Sequence, residues 1–386
     1  MLSYILKRLL SGFFILFSFV TIVFFATEII LPGDYVSQFA LFLSSKEAAE
    51  LRTQLGLDLP IWQRYLYWLF NLATGNLGYS YSLSGQGAPV MDILKSTLPS
   101  TLLLFGSGTV LAFWIGHWLG KATAWGNGRL FSGFTTLSAI LLYTSFPPWL
   151  VFLLGYFIFK KTYGPTVSVR GARLLTGGSP AMLWLMLLGL AVVLLAVAAL
   201  NGLSYEWRRK GLHPLVHLIL TMCGWAGSWF ILGILPEAIE TLRQAAIPLL
   251  AYVMLTFGEI MLIMRTTMID TLHEPYIQTA RAKGLPERAI RDRHAARNAL
   301  LPALSRLIVS LPYLLTGMVM IESVLNWPGV GTTLFYALGM QNLPLAMGLM
   351  VLIGLLSLIS RLSLDILQAV LDPRIRARVQ TAKAQL

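Results

Sequence analysis

Few side chains in this sequence are equipped for chemistry, and most of them lie in one stretch. Its longest highly charged run reads Tyr276-Ile-Gln-Thr-Ala-Arg-Ala-Lys-Gly284-Leu-Pro-Glu-Arg-Ala-Ile-Arg-Asp-Arg-His-Ala-Ala-Arg-Asn-Ala-Leu-Leu-Pro302. Arg281, Lys283, Arg288, Arg291 and Arg293 offer positive charge to an acidic rim. Thr279, Ala280 and Ala282 are small enough to fit closely into a partner's groove. The same composition suits a basic helix lying on anionic lipid, and loop chemistry alone leaves both readings open. Elsewhere, Glu259 sits in the middle of an apolar run and Glu322 near the end of another. Ionisable groups at such positions are candidates for function. Glu259 either meets a substrate amine or cation or is a protonated carboxyl bonded to a neighbouring helix. Glu322 either gates an outer mouth or makes a structural hydrogen bond. Arg265, Arg306, Arg361, Asp365 and Glu28 lie near run ends, where snorkelling explains them. His213 and His217 share a helical face, but Pro214 lies between them and no third ligand is evident, so no metal site is expected. Neither His-Glu-x-x-His nor Gly-x-Ser-x-Gly occurs. Gly120-Lys121 is followed by Ala122 rather than Ser or Thr, so no phosphate-binding loop, and no ATPase, is encoded.

The basic stretch carries its own folding signals. Pro275 suits the first turn of a helix, where a missing N–H costs nothing. That helix runs to Lys283, and Gly284 takes the left-handed conformation that ends it. Pro286 starts a second helix, with Glu287 in its first turn, that reaches about Leu300. Pro302 then marks where the next membrane span begins.

The rest of the chain is mostly apolar. Hydrophobic residues make up 56% and charged residues 12%, the composition of a polytopic membrane protein. The net charge of +12 sits in short clusters between apolar runs, which indicates membrane topology rather than nucleic-acid binding. Eight spans are expected, near 9–31, 98–120, 134–159, 181–203, 215–236, 245–267, 303–325 and 345–367. The first is too long and unbroken for a cleaved signal, so it is expected to be retained. Lys7 and Arg8 place the N-terminus in the cytoplasm, and alternation places Lys121 to Arg129, Arg208 to Lys210, the 269–302 loop and Arg374 to Arg378 there too. Lys160, Lys161, Arg170 and Arg173 are the exception. Removing the 181–236 pair preserves this parity, so that pair reads as an insertion into a six-helix core. In the outer segment, 46–55 is expected to be a short helix. Trp62, Tyr65, Tyr67 and Trp68 mark an amphipathic stretch at the membrane interface. The expected divisions are 1–97, a first span with its outer segment; 98–160, core spans; 161–240, an outer segment and the extra hairpin; and 241–386, core with the 269–302 loop. Cys223, the single cysteine, excludes an intrachain disulfide.

Taken together, the motifs resemble a family. Tyr276 to Leu285 and Arg297 to Pro302 resemble the cytoplasmic coupling loop of ATP-binding-cassette importer permeases, in the dipeptide, oligopeptide and nickel branch, with Gln278 where the wider family has glutamate. Pro32-Gly33-Asp34, Leu55 to Tyr65, Gly75 to Ser80, Glu322 to Gly331 and Asp372 to Arg376 are similar to further elements of that family, in the same order. About 165–240 has no counterpart. The resemblance implies an all-α, type I importer fold of six core helices plus the extra hairpin, in the bacterial inner membrane with both termini cytoplasmic. It also implies two cytoplasmic ATPase subunits that bind the ATP, a second, related permease and an external solute-binding protein, with membrane lipid around them. No cofactor of the chain's own is implied. Gln278, Thr279, Ala280, Arg281, Lys283, Gly284, Arg288 and Pro302 become the expected ATPase-coupling residues, and Glu259 and Glu322 the expected substrate path. Peptides lead the expected substrates. A non-transporting scaffold or sensor, and an ion-coupled secondary transporter using Glu259, remain as alternatives.

Overall fold

The computed structural model describes residues 2–30, 33–39, 41–82, 85–125, 128–154, 156–157, 180–208 and 214–371. Within them the chain is helical apart from one two-stranded hairpin, Tyr79–Ser82 (β1) against Gly85–Pro89 (β2). The helices are α1 (Leu2–Ile30), α2 (Ser45–Leu55), α3 (Ile61–Ala73), α4 (Val90–Ala124), α5 (Arg129–Thr144), α6 (Pro147–Leu154), α7 (Pro180–Arg208) and α8 (Pro214–Ile231). They continue with α9 (Leu235–Leu272), α10 (Pro275–Ala282), α11 (Ala296–Leu325), α12 (Val330–Gly339) and α13 (Leu343–Leu371).

The described residues of the eight expected apolar runs are mostly helical, but the count of full spans among them differs. Five described helices are long and apolar enough to cross a bilayer: Leu10–Ile29 of α1, α4, Pro180–Val197 of α7, α9 and Leu343–Ser360 of α13. The expected span 134–159 is instead a broken pair, α5 and α6, bent by 109°. Counted as one span it makes a sixth. The break falls at Ser145 and Phe146 because Pro147 lacks an N–H and disfavours helical backbone in the residue before it. The apolar part of α8, Ile219–Ile231, is shorter than a full span. Two helices extend past their apolar runs: α4 starts at Val90, and α9 takes in 237–244, which was expected to be a loop. The segment 326–344, between two expected spans, contains α12. Lys160, Lys161, Arg170, Arg173, Arg209, Lys210, Pro32, His213 and residues 372–386 lie outside the described residues, as do the side chains of His217, Arg361 and Asp365.

The chain divides into two units. The first comprises 1–96, 301–316 and 330–386. Here α1 lies along α13, with a glycine on each side of the contact. A Cβ on Gly12 would come within 2.2 Å of Leu358, and one on Gly354 within 2.4 Å of Leu16. Val20, Phe24, Met347 and Val351 form a core that Tyr65, Trp68 and Leu72 of α3 complete. Tyr65 and Trp68 thus pack against Phe24, while Trp62 and Tyr67 stay exposed. Glu28 does not snorkel to water: Arg64 of α3 pairs with it at 2.6 Å and little of either side chain is exposed. Ser44 and Glu47 form a reciprocal capping box that fixes the start of α2. Asn342, just before α13, works as a short stretch of strand edge. Its amide oxygen accepts from the Tyr81 N–H at 3.1 Å, and its amide nitrogen donates to the Tyr81 carbonyl at 3.2 Å.

The second unit comprises 97–300 and 317–329. Glycines bring α4, α5 and α9 together. A Cβ on Gly116 would meet the Phe257 carbonyl at 2.8 Å, one on Gly120 the Met261 carbonyl at 2.9 Å, and one on Gly258 the Ala139 carbonyl at 2.5 Å. Small residues of this kind let membrane helices approach to backbone contact, which apolar driving force alone does not achieve in lipid. The α7–α8 hairpin packs in the same unit. Met182, Leu183, Met186, Leu190, Trp225 and Trp229 close on Leu103 of α4 and Ala238 of α9. The Trp225 indole N–H donates to the Met186 carbonyl at 2.9 Å, so a large buried ring is also held by a polar anchor.

Candidate coupling site

The charged stretch between α9 and α11 is built from local signals outward. α9 ends at Leu272 with His273 as its cap, Glu274 is extended, and Pro275 opens α10 at its first turn. Of the eight residues of α10, Ile277 and Ala280 are buried and form its footing. Gln278, Thr279 and Arg281 are exposed, as are Lys283, Gly284 and Arg288 beyond it. Ala280, expected to face a partner, is therefore turned toward the chain's own interior. The helix closes with a Schellman motif: the Leu285 N–H donates to the Ala280 carbonyl and the Gly284 N–H to the Arg281 carbonyl. Gly284 has φ +72°, and no atom lies within 4 Å of where its Cβ would be. Glycine is needed there for its backbone angle, not for space.

The second helix differs from its expected form. Glu287–Ala289 is a single helical turn, and Ile290–Ala295 is π-helical. From Ala296 the helix then continues without a break to Leu325, so Pro302 lies inside α11 instead of marking a boundary. Membrane helices tolerate proline because neighbouring groups and local adjustment re-satisfy the freed carbonyl. Ile290, Ala295, Ala296 and Ala299 are buried, which seats this stretch on one face.

Polar contacts tie the stretch together. The Tyr276 hydroxyl accepts from the Asn298 amide at 2.6 Å, joining α10 to α11. Arg281 Nε donates to Glu287 Oε1 at 3.0 Å, and the Trp125 indole N–H donates to Glu287 Oε2 at 3.1 Å. Lys121 of α4 lies 3.5 Å from Asp292, which Arg291 also holds at 2.9 Å. Burial alone would raise the Asp292 carboxyl. The Arg291 hydrogen bond and the Lys121 and Arg291 charges outweigh it and hold the group below its ordinary value. Lys121, Trp125 and Asp292 were not among the expected site residues. The sequence shows them as a lysine closing an apolar run, a tryptophan just past it and one acid among arginines, and no spacing rule joins elements so far apart in the chain.

The two expected path residues lie elsewhere in the second unit. Glu259 is buried in α9, next to the glycine that contacts α5. Glu322 is fully buried near the end of α11. The turn after it folds back, so that a Cβ on Gly329 would fall 2.3 Å from the Glu322 carboxylate. Among the described residues no three His, Cys, Asp or Glu side chains gather as a metal site.

A model of the family described as binding-protein-dependent transport system inner membrane component matches residues 108–377. The chain belongs to this family. The match runs from α4 past the end of α13 and includes the whole 269–302 stretch. A Brucella suis biovar 1 protein named as a peptide permease is 31% identical over 385 residues, covering 97% of this chain and 99% of that protein. The dipeptide transport system permease protein DppB of Escherichia coli K12 is 28% identical over 383 residues, covering 97% and 99%. DppB of Lactococcus lactis subsp. cremoris is 27% identical over 376 residues, covering 97% and 100%. As a binding-protein-dependent inner-membrane component, the chain is a multi-pass membrane protein and one part of a transport system with further components. The family resemblance read from the coupling-loop motif is thereby shown, and the type I permease fold with it.

Proposed function

We propose that this chain is the permease subunit of an ATP-driven importer for di- and oligopeptides, lining half of the translocation path. One observation carries the reading. α10 is a short, capped helix on a buried footing, and it presents Gln278, Thr279 and Arg281 outward, with Lys283, Gly284 and Arg288 exposed just beyond it. A stiff cationic helix of this kind suits a groove with an acidic rim on a cytoplasmic ATPase. The names of the relatives support peptides as the cargo.

On this reading the chain holds no ATP and has no enzymatic activity. Two ATPase subunits bind the nucleotide, a second, related permease completes the path and an external solute-binding protein delivers peptide. Lys7 and Arg8 and the basic 269–302 loop support cytoplasmic termini in a bacterial inner membrane. When the ATPase pair closes, α10 moves as a rigid body. Its linkage through the π-helical turn to α11 and Pro302, and through His273 to α9, passes that motion to the spans. The path then alternates between outward-open and inward-open, and ATP turnover resets it. The burial of Glu259 beside the Gly258–Ala139 contact supports a structural hydrogen-bonding role for that carboxyl. The burial of Glu322 beneath the 326–329 turn supports a structural role for that carboxyl. The α7–α8 hairpin is an addition to a six-helix core, packed against α4 and α9 without touching the ATPase contact.

The test is co-purification in mild detergent, comparing wild type with Gly284→Val. Wild type is expected to bring down ATPase subunits that mass spectrometry identifies. A β-branched residue opposes φ +72° and opens the Schellman cap, so the variant is expected to lose the ATPases or their peptide-stimulated hydrolysis. A folded wild-type protein that brings down no ATPase would overturn the proposal.

A further inference from the structure

The docking stretch is fastened to more than the helices that flank it in sequence. We propose that the end of α4 from Gly116, with Trp125 just past it, moves with the coupling stretch as one body and carries its displacement into the membrane, with Lys121 and Trp125 as positioning residues. This rests on the reading of α10 as the ATPase contact.

Two bonds make the attachment. Lys121 is 8% exposed, and a buried ammonium persists only where it is paired. Its partner Asp292 belongs to the π-helical turn, and Arg291 holds that carboxylate in place from the same turn. Trp125, one turn on from Lys121 and the first residue past α4, donates to Glu287. The other oxygen of Glu287 accepts from Arg281 of α10. Glu287 is therefore a bridge: a push on α10 reaches α4 through one carboxylate, and Asp292 supplies a second attachment. On the neighbouring face, Gly116 and Gly120 set α4 directly against the backbone of α9, with no room for a side chain between. α4 is clasped between the coupling stretch and α9, and packed elements without slack transmit displacement rather than absorb it. The covalent route from α10 to α9 is less direct, because it passes through His273 and Glu274, which are not helical.

The experiment uses the full transporter reconstituted in lipid vesicles, reading peptide taken up per ATP hydrolysed. Asp292→Asn and Lys121→Met are each expected to lower that ratio about tenfold while ATP hydrolysis continues. The exchange Lys121→Asp with Asp292→Lys is expected to recover most of it. Phe134→Leu, on an exposed face of α5 outside this body, is expected to leave it unchanged. A second arm does not depend on removing a buried charge. In a Cys223→Ala background, Trp125→Cys with Glu287→Cys is expected to uncouple, and a short bis-maleimide joining the two thiols to restore transport. Wild-type ratios in both single variants would overturn the inference, and so would loss of transport on cross-linking. A wild-type complex without peptide-stimulated hydrolysis would instead overturn the reading on which the inference rests.

Discussion

Gly284 and Asp34 show two ways in which single residues set local structure here. At Gly284 the surroundings are open and the constraint is the sign of φ alone. Any L-residue there carries the strain of left-handed backbone, about 1–2 kcal/mol. At Asp34 the constraint is electrostatic. Arg52 of α2 binds its carboxylate at 2.7 Å, and the Ser37 N–H donates to the same group at 2.8 Å. Burial works against the charged form, but these hydrogen bonds and the Arg52 charge hold the carboxyl below its ordinary 3.8. A depressed acid contributes stability above its unfolded value and loses it as the pH falls through its folded value. The prediction is that the 33–55 segment stays protected from proteolysis at neutral pH and loses protection only below about pH 4. Asp34→Asn should shrink that acid step, leaving the part due to Glu47, which its hydrogen bonds from Ser44 also hold below its ordinary value. Gly284 was legible in the sequence because a Gly-Leu-Pro corner is a local signal. The Asp34–Arg52 and Lys121–Asp292 pairs were not, because each is fixed by packing between separate elements.

At the scale of elements, the contacts between helices rest on glycine more than on large side chains. Gly258 is the tightest case against backbone: a Cβ there would sit 2.5 Å from the Ala139 carbonyl oxygen. Gly258→Ala must therefore push α5 from α9, at about 1–3 kcal/mol for an overpacked site. A lowered thermal midpoint in detergent, with the protein still monodisperse, is the expected result. The α7–α8 hairpin uses glycine too, Gly189 against Ser228 and Gly224 against Val193, and adds a large side chain. Trp225 fills its interior and stacks edge-on with Trp229 at 4.7 Å. Trp225→Ala is expected to cost about 3–5 kcal/mol and to expose the hairpin to protease, while ATPase co-purification persists. Short elements with their own start and stop residues, α2 and α10 among them, could be read from sequence. The break between α5 and α6 was written in Phe146-Pro147-Pro148 but hidden by an unbroken apolar run. The π-helical turn and α12 carry no distinctive local pattern. Nor do the polar ends of α4 and α9, since a charged residue does not stop a helix.

For the whole molecule, composition decided the class before any motif was needed, and the order of motifs along the chain decided the family. Apolar length decided less. It located the described membrane helices, but it could not distinguish a straight crossing from the 109° bend of α5 and α6, or a full crossing from the shorter α8. Within the second unit, α9 holds a further consequence. Its 38 residues make a rod of about 57 Å, well beyond the ~30 Å of the hydrocarbon layer. The tightest backbone bearing on it is Gly258 against Ala139. From there the arm toward the coupling stretch is about 21 Å long and the arm toward Leu235 about 35 Å. Pro248 leaves one hydrogen bond of the ladder unmade on the longer arm, so a turn about that fulcrum is carried rigidly from Thr271 to Pro248 and bends there. The glycine is thereby a fulcrum as well as a packing contact, and the proline a joint beyond it.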